Sequence, residues 1–544
     1  MSAKRKSIEE DKSLKRPKNV ITVDDIKRWH KEISTSPKYY NNIVRLLDGF
    51  TKEIEKLDTH SKKDDDDDVI KTFIVALTQI FQSLLTADQL RISRHDNEQQ
   101  VKVSKWLRTK YQNYLESIYQ IWALEGVSDG VVELQIDGLS SLMTLLQVES
   151  DTMAPSKEQP YFATGSYKSI LKALLLTGNQ TQIREQGYTI DNPLILEFYD
   201  QYFSNYWDIK YFFFDALSDI VKELESKEML FFANVITLVK LAPMYPEKDI
   251  EKYISERFVA NPPSKVESIF KFRSNFEKSW TQMMTSLSLS PAEYKSILLI
   301  IHKRIIPFFE DPSRLMDFLT DAYDLGFEEK DISLSILALN GLWELMKNYN
   351  LEYPDFYTKL YGILTPELLH LNYRNRFFRL LDLFMSSTHL SAAIVASFIK
   401  QLSRLSLTAP ATAIVAVIPF VYNLLKRHPT CMLLIHNTSD VGKDFVDPFK
   451  EEETDPSNTD ALESSLWELQ TMMNHYHPQV ASLAKILSQP FNKYNYNMED
   501  FLDWSYQRLF DSEMTKRFKG ELGVEFEQWD TMFGDDGFMK GYTF

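Results

Sequence analysis

Apolar residues along this chain fall with the spacing of one face of an α-helix. The segment VIKTFIVALTQIFQSLL, residues 69–85, places them at i, i+3, i+4 and i+7 and keeps that rhythm to its end. This spacing is typical of an amphipathic helix and differs from the alternation of a strand. The predicted face consists of Ile70, Phe73, Ile74, Leu77, Ile80, Phe81, Leu84 and Leu85.

Segments with the same period follow one another as far as EDFLDWSYQRLFDSEM, and many are paired across a Pro, a Gly or an Asp-Pro. Helix pairs that bury their apolar faces against the next pair form an α-solenoid. We therefore predict an all-α fold, an irregular solenoid of stacked helix pairs of the HEAT or armadillo kind. No fixed repeat length is visible, so the repeats are expected to be irregular.

Changes in composition divide the chain into four predicted regions. They are a disordered basic tail at 1–20, an N-terminal helical repeat region at 21–290, a second helical domain at 291–510 and a C-terminal tail at 511–544. Within the N-terminal region, residues 58–68 are predicted to form an acidic loop. Its five consecutive aspartates, Asp64 to Asp68, repel one another and favour a solvated conformation.

A charge-free apolar segment, Ala409 to Leu425, is compatible with a membrane span or with a central core helix. It contains Pro410, Pro419 and Asn423, and it stands among amphipathic helices. We therefore predict a buried central helix and no membrane association.

Composition supports the helical interpretation. Glycine is scarce, 16 among 544 residues, which disfavours folds rich in tight turns and Gly-rich phosphate loops. Aromatic residues make up 13% of the chain, enough large rings to fill the seams between helices. The single cysteine, Cys431, excludes an intramolecular disulfide and fits a reducing compartment.

The net charge of −16 argues against a protein that coats nucleic acid, because phosphate binding depends on Lys and Arg. Any RNA contact is therefore expected to be local. The candidates are Arg374, Arg376 and Arg379, and the i, i+4 pair Lys400 and Arg404. The alternative is that these cations form salt bridges to neighbouring helices, and the sequence leaves both possibilities open.

The N-terminal tail has no apolar stretch of the kind that a secretory signal requires. It carries two basic clusters instead, of the type that the nuclear import machinery binds. The clusters consist of Lys4, Arg5 and Lys6, and of Lys15, Arg16 and Lys18. We predict nuclear import through these residues.

The segment ALESSLWELQTMMNHYHPQV, residues 461–480, predicts a helical hairpin. Asp460 and Glu463 have the spacing of a capping box, and Pro478 suits the first turn of a second helix. The predicted buried faces are Leu462, Leu466, Leu469 and Met473 on the first helix, and Val480, Leu483, Ala484 and Leu487 on the second.

His475, Tyr476 and His477 then lie in the turn of this hairpin. No Cys or carboxylate stands beside them at ligand spacing, so capping and packing of the junction is favoured over a metal site. Trp467 lies outside the predicted buried face of the first helix. It is interpreted either as a packing residue between helical layers or as an anchor for a partner.

Enzyme signatures are missing from the chain. It has no P-loop, dinucleotide-binding, zinc-protease or nucleophile-elbow motif. His428, Cys431 and His436 resemble a nucleophile with its bases, but the cysteine stands in an apolar run that predicts a buried, inert thiol. The FGDDG motif at residues 533–537 has no flanking strands and is interpreted as part of an acidic tail. We expect no catalytic residue, no metal and no cofactor.

Several longer motifs carry a family resemblance. They are LTAP, IPFVYNLLKRHP, LIHN, DPF, ETDP, ALESSLWEL, HYHP and FLDWSY, all within residues 292–510. Together they closely resemble the CCAAT-binding-factor (CBF) domain of the nucleolar complex (Noc) family. Residues 1–290 share only the general helical pattern.

The resemblance implies a non-enzymatic ribosome biogenesis factor of the nucleolus and nucleus. It implies a stable pair with nucleolar protein 14 and a role in small-subunit (40S) pre-ribosome assembly, rRNA processing and nuclear export. The motif regions would then form a rigid platform, and the residues expected to bind the partner are Lys426, Arg427, Trp467, Tyr476 and His477. Two other functions remain open, a helical nuclear transport or cargo adaptor and a direct rRNA-binding factor.

Deleting residues 1–18 is expected to slow nuclear entry without changing the melting temperature. Nuclear accumulation of a fluorescent fusion measures the first effect, and a thermal melt of the purified protein measures the second. A melt lowered by several degrees would contradict the prediction, because it would make the tail part of the fold.

Overall fold

A computed structural model describes residues 21–517. Its description omits residues 59–64, 93–96, 125–128, 155–158, 179–191, 225–228, 242–243, 246–249, 287–288, 350–354, 388 and 437–445. The basic tail with its six import residues, Asp64 and the FGDDG motif therefore lie outside the described residues.

The chain divides into two compact units, Met1–Tyr353 and Pro354–Phe544. This division lies later in the chain than residue 290, where the sequence suggested a boundary. The all-α prediction is confirmed: the described residues contain helices and irregular segments but no β-strand.

The N-terminal unit is built from helices of widely varying length. They are α1 (Val23–Thr35), α2 (Asn42–Asp58), α3 (Asp65–Thr86), α4 (Glu98–Trp122), α5 (Asp129–Thr152), α6 (Thr164–Leu175), α7 (Pro193–Phe198), α8 (Trp207–Glu223), α9 (Met229–Leu241), α10 (Ile250–Ser255), α11 (Ile269–Ser286), α12 (Pro291–Ile300), α13 (Met316–Glu328) and α14 (Ile332–Tyr349).

The C-terminal unit has shorter helices and more irregular chain. Its helices are α15 (Phe356–Gly362), α16 (Arg374–Phe384), α17 (Ala392–Ser406), α18 (Ala411–Arg427), α19 (Trp467–Thr471), α20 (Pro478–Ala484), α21 (Glu499–Leu502) and α22 (Tyr506–Thr515). Single 3-10 turns in this unit lie at Pro366–His370, Pro429–Leu434, Ala461–Glu463, Met472–Asn474 and Lys485–Ser488.

Helices of the N-terminal unit pack chiefly against near neighbours in sequence. The closest associations are α3 with α5, α8 with α11 and α13 with α14. The last pair is tight because both helices carry a glycine at the contact. A Cβ at Gly341 would lie 2.7 Å from Leu319 Cδ2, and one at Gly326 would lie 2.9 Å from the backbone nitrogen of Ser335.

Aromatic rings fill the seams between these helices, as the composition predicted. In the first seam, Phe81 stacks on Tyr114 with ring centroids 5.5 Å apart. The buried Tyr114 hydroxyl donates to the carbonyl of Ile74 at 3.1 Å, so the ring adds a polar tie to its apolar packing. In a second seam, the Trp207 indole donates to the Val266 carbonyl at 2.7 Å and packs on Phe272.

The predicted acidic loop is wrong in its second half, because α3 begins at Asp65. Asp65 to Asp68 thus belong to the first turn of a helix. The stretch Asp68–Thr86 is long and apolar enough to cross a bilayer, but 56% of its most apolar window is buried. It packs against α1, α2 and α5, as expected of a core helix.

The predicted buried helix is confirmed as α18. Every residue from Ala411 to Leu425 is buried, and Val417 is fully buried. The helix packs against α17, α20, α21 and the turn at Pro429–Leu434. The apolar run is therefore the centre of the C-terminal unit.

Replacing Val417 by Asp is expected to destabilise the C-terminal unit by about 3 kcal/mol or more, since it buries an unpaired charge. The matched control is Val446→Asp, because Val446 is 82% exposed and should change stability by no more than about 0.5 kcal/mol. Urea unfolding monitored by hydrogen exchange of the α18 amides gives the change in stability for each variant. Equal stability of the two variants would contradict a central position for α18.

Candidate functional site

Helix α17 carries a polar stripe on an otherwise apolar face. Ser397, Lys400 and Arg404 stand at i, i+3 and i+7, so they project from one side of the helix. Residues 446–466, here called the wrapping segment, cover that side. Ser397 Oγ donates to the carbonyl of Pro456 at 2.6 Å, and the Arg404 guanidinium lies 2.6 Å from the Glu451 carboxylate.

The Lys400 ammonium is the centre of this contact, and its side chain has no exposed surface. It donates to Asp447 Oδ2 at 2.8 Å, to the carbonyl of Ser465 at 2.7 Å and to Glu468 Oε1 at 2.6 Å. An ammonium has three donors, so each has an acceptor. The rings of Phe449 and Trp467 lie 5.8 and 5.5 Å from the nitrogen.

Two carboxylates of this cluster titrate differently. Burial raises the pKa of Asp447, but hydrogen bonds from Lys400, Ser464, Phe449 and Trp467 outweigh it and bring the pKa to about 2. Burial raises the pKa of Glu468, against the lowering effect of its hydrogen bond with Lys400. Lys400 thus forms ion pairs with Asp447 and Glu468, and these pairs hold the wrapping segment and α19 against α17.

Lys400 was a candidate for RNA contact, and the structure contradicts that role. A fully buried, three-fold hydrogen-bonded ammonium presents no charge to a phosphate. Its neighbour Arg404 is partly exposed, but it pairs with Glu451 and lies 3.7 Å from Glu468. The alternative interpretation from sequence, salt bridging between elements, describes both residues.

Two of the three arginines of α16 have similar structural roles. Arg379 makes a bidentate pair with Glu499, with distances of 2.7 and 2.6 Å. Arg374 donates to the carbonyl of Leu369 at 3.1 Å and to that of Trp504 at 3.5 Å. Arg376 is half-buried and has no acidic partner among the described residues. Two of the three thus seat the segment that carries the FLDWSY motif.

The predicted helix after Asp460 is wrong. Asp460 has φ of 57°, makes no capping hydrogen bond and pairs with Lys450 at 2.7 Å. A 3-10 turn at Ala461–Glu463 ends at an extended Ser464, and α19 is only one turn long. The extended Ser464 lets its hydroxyl reach Asp447 and leaves the next carbonyl for Lys400, so the buried ammonium overrides the local helix preference.

The predicted seams are partly correct. Leu466 and Leu469 are buried, but Met472 is buried in place of Met473, and Leu462 is half-buried. The second face is formed as expected by Val480, Ala484 and Leu487, with Leu483 half-buried.

Trp467 covers the charge cluster. Its indole donates to Asp447 Oδ2 at 3.1 Å, and the ring lies 5.5 Å from both Lys400 Nζ and Arg404 Cζ. The side chain still keeps 37% of its surface exposed. The structure thus gives this tryptophan a packing role, and its outer edge remains accessible.

The His-Tyr-His motif lies in a turn between Met472–Asn474 and α20, as predicted, with Pro478 in the first turn of α20. Tyr476 is 83% exposed. The His477 amide donates to His475 Nδ1 at 3.1 Å, a contact within the turn itself. Among the described residues, no group of three or more potential ligands is placed to hold a metal ion.

Polar residues at the end of α18 hold an irregular strap, residues 489–498. Asn423 exchanges two hydrogen bonds of 2.8 Å with the backbone of Tyr496. Lys426 donates to the carbonyl of Phe491 at 2.8 Å. Arg427 pairs with Asp382 of α16 at 3.1 Å. Both cations were expected to bind a partner, and the structure gives them internal acceptors instead.

The Cys431 prediction is confirmed in its structural part. The thiol is fully buried, and burial raises its pKa to about 11, so it stays protonated at neutral pH. The buried His428 contacts the carbonyl of Met385 through Nε2 at 3.0 Å. Neither side chain is arranged for nucleophilic catalysis.

Sequence reasoning missed Asp447, Glu468 and Ser397 as members of the central contact. The available signal was the polar stripe on α17. A lysine and two other polar side chains on one face of an apolar helix require acceptors somewhere in the fold.

Two family profiles match separate parts of the chain. Residues 17–226 match the profile described as nucleolar complex protein 4-like, TPR repeats, and residues 335–484 match the CBF/Mak21 family. The helical-repeat prediction is confirmed, with TPR repeats in place of the HEAT or armadillo type. The second match contains α17, α18 and the charge cluster.

Curated relatives match over most of the chain. Nucleolar complex protein 4 of Saccharomyces cerevisiae is 39% identical over 95% of this chain and 96% of its own length. The nucleolar complex protein 4 homologue of Gallus gallus is 34% identical over 82% of this chain and 84% of its own length. The nucleolar complex protein 4 homologue of Homo sapiens is 32% identical over 87% of this chain and 90% of its own length.

Replacing Asp447 by Asn is expected to cost about 2 kcal/mol at neutral pH, because the pKa of Asp447 is lower in the folded than in the unfolded chain. That stabilisation is present above about pH 4 and is lost as the pH falls towards 2. Urea unfolding across this range should show the gap between wild type and variant closing. A gap that stays constant with pH would contradict the assignment.

Proposed function

Because the chain belongs to the nucleolar complex protein 4 family, we propose that it is a non-enzymatic scaffold of small-subunit pre-ribosome assembly, paired with nucleolar protein 14. The protein is a nucleolar ribosome biogenesis factor, in line with the names of its relatives. The finer proposal includes contributions to rRNA processing and to export of the small-subunit precursor.

One observation supports the proposal: polar residues on the helices of the C-terminal unit fix irregular segments on a helical core. Lys400 holds the wrapping segment, Asn423 holds the strap, and Arg379 holds α21. These contacts fix the irregular segments into a surface of defined shape. A rigid, composite surface suits a protein whose task is to bind other proteins.

The exposed part of this surface includes the His-Tyr-His turn. Tyr476 projects from it with 83% of its surface accessible, and tyrosine is among the residues that most often dominate protein interfaces. Lys426, Arg427 and Trp467 have contacts within the C-terminal unit, with Phe491, Asp382 and Asp447 respectively. We therefore propose Tyr476, with His477 beside it, as the direct partner contacts.

Direct rRNA binding is a weaker candidate. Four of the five candidate cations, Lys400, Arg404, Arg374 and Arg379, already have acceptors within the C-terminal unit. A transport adaptor would share the helical fold and the acidic charge, so it differs from a scaffold in what it co-purifies with.

Affinity purification in low and high salt tests the proposal. The wild type is expected to retain nucleolar protein 14 and small-subunit precursor proteins in both. Recovery of transport receptors and cargo without pre-ribosomal proteins would favour the adaptor. Recovery that depends on RNA and vanishes in high salt would favour direct rRNA binding.

Tyr476→Ala is expected to weaken capture of nucleolar protein 14 by about tenfold or more at an unchanged melting temperature. Tyr494→Ala is the matched control, since Tyr494 is 88% exposed but lies in the strap. Trp467→Ala should instead lower the melting temperature, because it uncovers the charge cluster. Equal capture by Tyr476→Ala and wild type would contradict the proposed contact.

A further inference from the structure

Helix α22 presents an apolar stripe that nothing in the described residues covers. Tyr506, Phe510 and Met514 stand at i, i+4 and i+8, so they share one face over a length of about 12 Å. Their exposed fractions are 55%, 69% and 85%. A short helix seldom exposes three large apolar side chains in register without a partner.

The opposite side of α22 is firmly seated on the C-terminal unit. Leu509 is 3% exposed, and Ser512 Oγ accepts a hydrogen bond from Gln479 of α20 at 2.6 Å. The helix begins at a capped end, where Ser505 Oγ accepts from the amide of Arg508 at 3.2 Å. The stripe therefore faces away from the unit on a helix whose orientation is fixed.

Carboxylates border the stripe on both sides. By helical geometry, Glu513 lies next to one edge and Asp511 near the other, and Arg508 lies on the far side, where it donates to the carbonyl of Asp503 at 3.0 Å. Glu513 is half-buried and lies 3.7 Å from Lys516. The face thus combines an apolar centre with a carboxylate near each margin.

We infer that this face docks an amphipathic helix of another protein whose apolar ridge is bordered by Lys or Arg. An i, i+4 ridge packs best against the side-chain rows of a second helix, and acidic margins favour basic flanks on that helix. The inference does not depend on which protein supplies the helix, so it stands apart from the proposed pairing with nucleolar protein 14.

Charge decides against two other occupants. In a second copy of the chain, the acidic margins of two α22 faces would meet and repel. The chain's own residues 518–544 have acidic residues at Glu521, Glu525, Glu527, Asp530, Asp535 and Asp536, against Lys519 and Lys540. That segment would also bring negative charge to a negative margin.

The test uses the full-length protein and two synthetic amphipathic helices labelled with a fluorophore. One has a leucine face bordered by lysines, and its twin has glutamates in place of the lysines. Fluorescence anisotropy should show binding of the lysine peptide at least about tenfold tighter than that of the glutamate peptide. Equal affinity, or no binding of either, would overturn the inference.

The double variant Phe510→Asp with Met514→Asp should weaken binding of the lysine peptide by about tenfold or more, and Tyr494→Asp should not. Asp511→Lys, at an exposed position, should reduce the preference for the lysine peptide, which gives a second readout independent of apolar truncation. Wild-type binding by all of these variants would overturn the docking site.

The alternative occupants have their own outcomes. A chain ending at residue 517 that binds the lysine peptide more than about tenfold tighter than the full chain would assign the stripe to residues 518–544. Dimerisation of wild type in sedimentation velocity, abolished in the Phe510→Asp and Met514→Asp variant, would assign it to a second copy. Either result would overturn the inference.

Discussion

The C-terminal unit depends on the burial of one ammonium group. Lys400 has no exposed surface, and a charge removed from water is tolerated only with complete hydrogen bonding and opposite charge. Its three acceptors come from Asp447, Ser465 and Glu468, so the wrapping segment and the start of α19 have to lie where the ammonium requires them. The DPF and SSLWEL motifs are thereby explained as parts of one contact on α17.

The same arrangement recurs around the unit. Asn423 and Lys426 of α18 hold the strap, and Arg374 and Arg379 of α16 hold the chain around α21. Polar residues that look like a binding surface in the sequence are therefore used to fix irregular segments on apolar helices. Tyr476 in its turn and the apolar face of α22 stay exposed, and they are the two surfaces that we propose for partner binding.

Local pattern was enough to predict the helices and the burial of Ala411 to Leu425, because both follow from the spacing of apolar residues. It failed where distant residues decide the structure. Lys400 resembles a surface cation until Asp447 and Glu468, which lie 47 and 68 residues further along, meet it. The predicted capping box at Asp460 does not form for the same reason. An extended Ser464 donates to Asp447 and leaves the Ser465 carbonyl free to accept from Lys400, which a helix at this position would prevent. Arg379 was equally ambiguous until Glu499 was placed beside it.

The most direct test of this account is hydrogen exchange of the C-terminal unit in Lys400→Met, compared with Arg404→Met as the matched control. Removing the ammonium leaves the buried Glu468 without its nearer cation, with Arg404 at 3.7 Å, and this loss is expected to cost about 3 kcal/mol. The account predicts that amides of the wrapping segment and of α17 lose protection together in Lys400→Met and much less in Arg404→Met, whose side chain is partly exposed. Unchanged protection of the wrapping segment in Lys400→Met would contradict it.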